Sequence, residues 1–242
     1  MGVGTGIEMN VVHWDIDKVN QQIFDTFGNH VVGGPFKGMY VDQRVAWKDG
    51  NIGKKLLGVY ESELHPYIYR IINRFRFAVY PNIVNIGSAE GYYAVGLART
   101  IPSSRVRAID TNQESLDILV ENARQNSCLE RVTAEKSFTP EITDLIFADC
   151  EGCELQLFEK PIIDQLTKCV LLIETHDFMY EHKHVTQPLV QRFSATHNVE
   201  VIPPVPGKRE VTLPDGELVL IIDELRPTEA NWIYCEPKNE TL

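Results

Sequence analysis

A glycine-bearing turn at residues 85–91 joins a short apolar run to a helical pattern. Gly87 and Gly91 carry no Cβ, so the backbone there can approach a ligand closely, and the next helix start offers free N–H groups. Asp110 ends the next apolar run, 19 residues after Gly91. In mononucleotide-binding folds an acid at this place accepts hydrogen bonds from ribose hydroxyls. The spacing predicts a nucleoside site, the alternative being a tight βα turn with Asp110 as a helix cap.

Four more polar residues end later apolar runs. Asp149 lies at the end of one predicted strand and Glu151 directly after it, and Glu174 and His176 lie at the end of the next. Ligands of open α/β sheets bind beyond the carboxyl ends of the strands, so we expect Gly87, Asp110, Asp149 and Glu174 to converge there. We predict His176 or Asp149 as a general base, with Glu174 beside them. The same groups could instead hold Mg²⁺ or another divalent ion.

The identity of the nucleoside follows from the turn itself. A dinucleotide fingerprint G-x-G-x-x-G requires a small third residue, but Gly87, Ala89 and bulky Tyr92 occupy its three positions. A Walker A loop is excluded because no G-K-[ST] follows the glycines. The turn therefore fits neither NAD nor a nucleoside triphosphate well.

The turn resembles the first motif of class I S-adenosylmethionine-dependent methyltransferases. Gly87, Ala89 and Gly91 match its glycine positions, Asn85 replaces the usual first acid, and Asp110 matches the ribose-binding acid. The resemblance implies S-adenosylmethionine as the cofactor. The predicted cofactor-binding residues are Asn85, Gly87, Ser88, Ala89, Glu90, Gly91, Tyr92, Asp110, Thr111, Ser137, Phe138 and Asp149.

A second segment narrows this resemblance. Asp149, Glu151, Gly152 and Glu154 form the order Asp-x-Glu-Gly-x-Glu, which is similar to the segment ending the fourth strand of FkbM-type methyltransferases. The resemblance covers residues 58–180 and implies methyl transfer to a hydroxyl of a small sugar-like or natural-product acceptor. N-methylation, a nucleoside-binding protein without catalysis and a nicotinamide-dependent oxidoreductase remain as alternatives.

From residue 82 onward, short apolar runs alternate with helical patterns, which is typical of βα units and a parallel sheet. We predict an α/β fold with a doubly wound, mostly parallel seven-stranded sheet of the Rossmann-like methyltransferase type. It would have an antiparallel C-terminal edge and an N-terminal helical extension. The predicted domains are the extension at 1–75 and the catalytic domain at 76–242. The predicted strands are 82–88, 106–110, 131–137, 144–150 and 169–177, with later candidates at 199–207, 216–225 and 231–237.

Charge and hydropathy restrict the partners. The chain has 23 Lys and Arg against 34 Asp and Glu, and its net charge of −11 disfavours nucleic acid. We see neither a signal peptide nor an apolar run of the roughly 18 residues that a membrane span requires. We therefore expect a cytoplasmic enzyme with a small-molecule acceptor and no membrane contact, and a homo-oligomer is left open.

The five cysteines are odd in number and widely spaced, so we expect reduced thiols rather than a disulfide framework. Cys150 and Cys153 form a C-x-x-C, for which a redox pair or half of a zinc site is the alternative. No second C-x-x-C accompanies it, and no dedicated metal site is predicted.

Overall fold

The computed structural model describes residues 16–44, 52–179, 184–205, 208–212, 219–223 and 230–238. Its strands are β1 (Asn82–Ile86), β2 (Arg105–Ile109), β3 (Val132–Glu135), β4 (Leu145–Ala148), β5 (Val170–His176), β6 (His197–Ile202), β7 (Lys208–Thr212), β8 (Val219–Asp223) and β9 (Ala230–Pro237). Its helices are α1 (Ile16–Phe27), α2 (Ile52–Leu57), α3 (His65–Phe75), α4 (Tyr92–Thr100), α5 (Gln113–Gln125), α6 (Glu154–Leu157), α7 (Lys160–Ile163) and α8 (Thr186–Phe193). Short 3₁₀ turns occupy Ser62–Leu64, Leu129–Arg131 and Asp177–Met179.

Seven of the strands form one mixed sheet in the order β3-β2-β1-β4-β5-β9-β6. Strands β1 to β5 pair in parallel, while β9 is antiparallel to both β5 and β6. The predicted doubly wound sheet with antiparallel C-terminal strands is confirmed. The last strand of the chain lies inside the sheet, however, and β6 forms the edge. The segment around β8 was expected to join this sheet, which is wrong, because β8 pairs with the unpredicted β7 in a separate hairpin.

The sheet is buried on both faces. Its central strands are therefore almost continuously apolar, as parallel strands covered by helices require. One face packs against α3, α4 and α5 together with residues of α1 and α2. The opposite face packs against α7, α8 and the segment that leads into α7. Because side chains alternate along a strand, Asp149, Glu174 and His176 continue the alternation of Phe147 and Leu172, on the face covered by the N-terminal segment.

The N-terminal segment docks on α5 through two asparagines. Asn122 Oδ1 accepts a hydrogen bond from the Asp42 N–H at 2.8 Å, and Asn126 exchanges hydrogen bonds with both backbone groups of Tyr40. Phe36 is buried against the ring of Tyr92, 5.4 Å away between centroids. These contacts hold residues 36–42 against α4 and α5. None of the helices in the described ranges has the length and apolarity needed to cross a membrane.

Candidate functional site

The glycine turn is built by close backbone approach. Gly87 has φ 70°, and a Cβ there would lie 1.5 Å from the carbonyl oxygen of Asp149. Gly91 begins α4 with φ 88°, where a side chain would meet Leu119. A side chain at position 87 would overlap the backbone that follows β4, and one at position 91 would overlap Leu119 of α5. The glycines are therefore required by packing as well as by any ligand.

Asp110 ties the turn to the end of β2. Its Oδ2 accepts from the Ala89 N–H and its Oδ1 from the Asn112 N–H, each at 2.8 Å. The cap of α5 is Asn112, whose side chain accepts from two backbone N–H groups, so Asp110 is not the helix cap. Each Asp110 oxygen keeps a further lone pair, because an ionised carboxylate offers about four acceptor sites. Asp110 can thus organise the turn and still bind a hydroxyl.

A cleft of about 430 Å³ opens at the carboxyl ends of β1, β2 and β4. This volume lies in the range of roughly 300–1,000 Å³ that small-molecule sites occupy. Eight of the predicted cofactor-binding residues line it: Gly87, Ala89, Glu90, Asp110, Thr111, Ser137, Phe138 and Asp149. Most of the predicted cofactor-binding residues thus lie around one cavity.

The other four predicted cofactor-binding residues, Asn85, Ser88, Gly91 and Tyr92, support the turn without lining the cleft. Ser88 and Asn85 are buried, and Asn85 Nδ2 donates to the Phe147 carbonyl at 3.3 Å. Gly91 faces Leu119, and Tyr92 packs among aromatic rings of the N-terminal segment. None of the four lines the cleft in the described part of the chain.

Two lining residues come from the N-terminal segment and were missed by sequence reasoning. Lys55 at the end of α2 and Tyr60 both border the cleft, and the Lys55 Nζ lies 5.0 Å from the centroid of the Tyr60 ring. Lys55 Nζ also forms a buried ion pair with the Glu90 carboxylate. No local pattern marks Lys55, because its partner Glu90 lies 35 residues away in the chain.

The predicted catalytic residues meet beside the cleft, which Asp149 lines and His176 and Glu174 do not. His176 is 2% exposed, and its Nε2 lies 3.4 Å from Asp149 Oδ1 and 3.8 Å from Glu174 Oε2. Glu151 Oε2 lies 3.5 Å from the same nitrogen. These four side chains thus lie together, and of the residues predicted to converge, Gly87, Asp110 and Asp149 line the cleft. His176 is thus a buried residue of β5 rather than an exposed loop histidine.

Glu154 holds the other nitrogen of this imidazole. It is fully buried, and its Oε1 hydrogen-bonds His176 Nδ1 and also accepts from the Gly152 N–H at 3.1 Å. With the proton on Nδ1, the lone pair of Nε2 points toward the carboxylate side of the site. Sequence reasoning used Glu154 only as part of a motif. The Asp-x-Glu-Gly-x-Glu spacing could have suggested a role for Glu154, but it could not identify His176 as the partner.

The crowded carboxylates change the ionisation of the site. Burial, together with the charge of Glu61, raises the pKa of Asp149 to about 7. Burial alone would lower the pKa of His176, but its hydrogen bond with Glu154 and the charge of Asp149 outweigh burial and raise it. Asp149 therefore exchanges its proton close to neutral pH, as general acid–base catalysis requires.

The same corner has the chemistry of a divalent-cation site. Asp149, Glu151 and His176 each offer one ligand atom, and these atoms lie within 4.8 Å of one another. Two carboxylate oxygens and one imidazole nitrogen are suitable ligands for such ions. Acidic surfaces often have this arrangement without binding an ion, so geometry alone leaves the metal alternative open.

The cysteine expectation is wrong for two of the five residues. Cys150 and Cys153 are joined by a disulfide, with their Cα atoms 5.6 Å apart. Cys128, Cys169 and Cys235 are buried free thiols, as expected. The C-x-x-C spacing allows ring closure because β4 ends at Ala148 and the chain turns sharply through Glu151 and Gly152, both with positive φ.

The fold is similar to those of solved methyltransferases. A precorrin-6y C5,15-methyltransferase from Geobacter metallireducens GS-15 superposes with a TM-score of 0.50 and 16% identity, over 70% of this chain and 88% of that one. An S-adenosylmethionine-dependent O-methyltransferase from Thermotoga maritima gives 0.47 and 15%, over 72% and 66%. An O-methyltransferase from Bacillus cereus in complex with S-adenosylhomocysteine gives 0.46 and 14%, over 95% and 94%.

No protein-family model and no curated protein matches the sequence. At identities this low, the likeness concerns the fold alone. The chain has the Rossmann-like methyltransferase fold that the sequence predicts.

Proposed function

We propose that the chain is an S-adenosylmethionine-dependent methyltransferase whose acceptor is a hydroxyl of a small molecule. The observation that carries this proposal is the single cleft that joins Asp110, at the end of β2, to Asp149 of the His176 cluster, at the end of β4. The class I and FkbM-type resemblances of the two motifs support it. Membership of the FkbM-type family is part of the proposal.

The lining of the cleft suits this cofactor. Asp110 offers carboxylate oxygens to ribose hydroxyls. Phe138 and Ile109 offer apolar surface for the adenine ring. Lys55 and Glu90 bring an ammonium and a carboxylate, the two charges needed to bind a zwitterionic amino-acid end.

The mechanism assigns proton removal to His176. S-Adenosylmethionine, when bound, supplies an electrophilic methyl group, and the protein must orient the acceptor hydroxyl and remove its proton. His176 Nε2 takes this proton, and the resulting imidazolium is stabilised by Glu154 at Nδ1 and by Asp149 at 3.4 Å. Because the pKa of His176 is raised, we expect the rate to fall as pH drops below this pKa.

Cofactor binding is tested first, by isothermal titration with S-adenosylmethionine, S-adenosylhomocysteine and NAD. We expect both adenosyl ligands to bind, and Asp110→Asn to weaken them at least about tenfold through lost ribose hydrogen bonds. Exposed Asp117 on α5 provides the matched control, because Asp117→Asn makes the same change of charge away from the cleft. Thermal unfolding of Asp110→Asn shows whether the turn still folds. Binding of NAD alone, or of none of the three by folded protein, would overturn the proposal.

Catalysis is tested next with a panel of hydroxylated small molecules. We expect His176→Gln to lower kcat by roughly 10²–10⁴-fold while S-adenosylhomocysteine still binds. A matched assay with EDTA and with added Mg²⁺ decides the metal alternative. Full activity in EDTA supports His176 as the base, and activity only with Mg²⁺ assigns Asp149, Glu151 and His176 to a metal. Unchanged kcat in His176→Gln contradicts both.

A further inference from the structure

The Cys150–Cys153 disulfide lies on the wall of the proposed cofactor cleft. Both cysteines are only partly buried and line the cleft, so a small thiol can approach the pair from there. The ring encloses only Glu151 and Gly152, and it therefore restrains a local turn rather than distant parts of the chain. The disulfide therefore does not cross-link distant parts of the fold.

The ring lies among the residues on which catalysis would depend. Asp149 precedes it, Glu151 lies inside it, and Glu154 follows it directly. Glu151 has φ 52° and Gly152 has φ 97°. A left-handed conformation is unfavourable for a residue with a side chain, such as Glu151. The disulfide opposes the relaxation of this turn.

The other cysteines are poor candidates for redox chemistry. Cys128, Cys169 and Cys235 are each about 1% exposed or less. Burial raises the pKa of each of these thiols, which keeps them in the unreactive thiol form. A mild reductant or oxidant should therefore act on Cys150 and Cys153 alone.

We propose that Cys150 and Cys153 form a thiol–disulfide site that controls the methyltransferase site, an inference that rests on the function proposed above. A dithiol reductant gives the pair two electrons and two protons, the S–S bond breaks, two thiols form, and the reductant becomes a disulfide. The released turn lets Glu151 leave its left-handed conformation, and the contact of Glu154 with His176 loosens. Loop-closure entropy for so small a ring limits the loss of affinity to roughly 20-fold.

The test compares oxidised and dithiothreitol-treated protein. Alkylation with mass spectrometry should label two cysteines, Cys150 and Cys153, only after reduction. We expect reduction to weaken S-adenosylhomocysteine about 5- to 20-fold and to speed hydrogen exchange at residues 149–158. Cys150→Ser/Cys153→Ser should match the reduced protein with or without dithiothreitol. Cys128→Ala is the matched control, and it should keep the full response.

The outcomes separate this inference from the proposed function. Equal ligand affinity and equal hydrogen exchange in the two redox states would overturn the redox control and leave the methyltransferase proposal standing. Failure of S-adenosylhomocysteine to bind in either state would defeat the methyltransferase proposal, and with it the control of that site. Free Cys150 and Cys153 thiols that an oxidant cannot join would also overturn the inference.

Discussion

The buried ion pair between Lys55 and Glu90 leads to a quantitative prediction for stability. The Lys55 side chain is 7% exposed and that of Glu90 is 2% exposed. Lys55→Met keeps the length of the side chain but leaves the Glu90 carboxylate buried without this countercharge. Removing one partner of a buried pair costs about 3–5 kcal/mol of unfolding free energy. Glu90→Gln alone should also destabilise the protein, because it leaves the Lys55 ammonium buried beside a neutral amide.

The double variant Lys55→Met/Glu90→Gln isolates the coupling between the two groups. Replacing both members of a buried pair is often close to neutral. The loss of unfolding free energy in the double variant should therefore be smaller than the sum of the two single losses by at least about 2 kcal/mol. Urea unfolding without ligand measures all three variants. Lys160→Met is the matched control: its pair with Asp164 is exposed, at 84% and 59%, and should be worth less than about 0.5 kcal/mol.

Two results would refute this reasoning. A loss below about 1 kcal/mol for Lys55→Met would mean that the pair behaves like a surface pair. Strictly additive losses in the double variant would mean that Lys55 and Glu90 act independently. Either result would mean that this ion pair does not hold α2 against the glycine turn.

Three further predictions concern the turn, the ionisation of the site and the last helix. Gly87→Ala should lower the unfolding free energy measured in urea by more than about 3 kcal/mol, because the new Cβ meets the Asp149 carbonyl. Gly28→Ala, where φ is 65° and the space is open, should lower it by only about 1–2 kcal/mol, and equal losses would contradict the clash. With its pKa raised to about 7, folded Asp149 holds a proton that the unfolded chain releases near pH 4, so stability falls as pH rises between these values. In EDTA, the stability of Asp149→Asn relative to wild type should therefore rise from about pH 4 to about pH 7, and a constant difference would refute the shift. Asp177→Ala should lower stability by about 1–2 kcal/mol, because Asp177 accepts from the Thr186 N–H at the start of α8; no change in thermal unfolding would contradict that role.

The candidate site was only partly predictable. Asp110, Asp149, Glu174 and His176 could be placed because each ends an apolar run, and the ends of parallel strands lie at one edge of a sheet. Two other roles could not be predicted: Glu154 holds His176, and Lys55 lines the cleft. Each depends on a partner, His176 for Glu154 and Glu90 for Lys55, that only the packing of the chain brings close.

The sequence by itself determined the elements with strong local patterns. The five parallel strands follow from short apolar runs, and the glycine turn follows from residues without a Cβ, because both signals involve only a few neighbouring residues. Tertiary structure alone decided the insertion of β9 between β5 and β6, the separate β7–β8 hairpin and the Cys150–Cys153 disulfide. Strand order and side-chain pairing depend on contacts between distant segments, and such contacts leave no periodic trace in the chain.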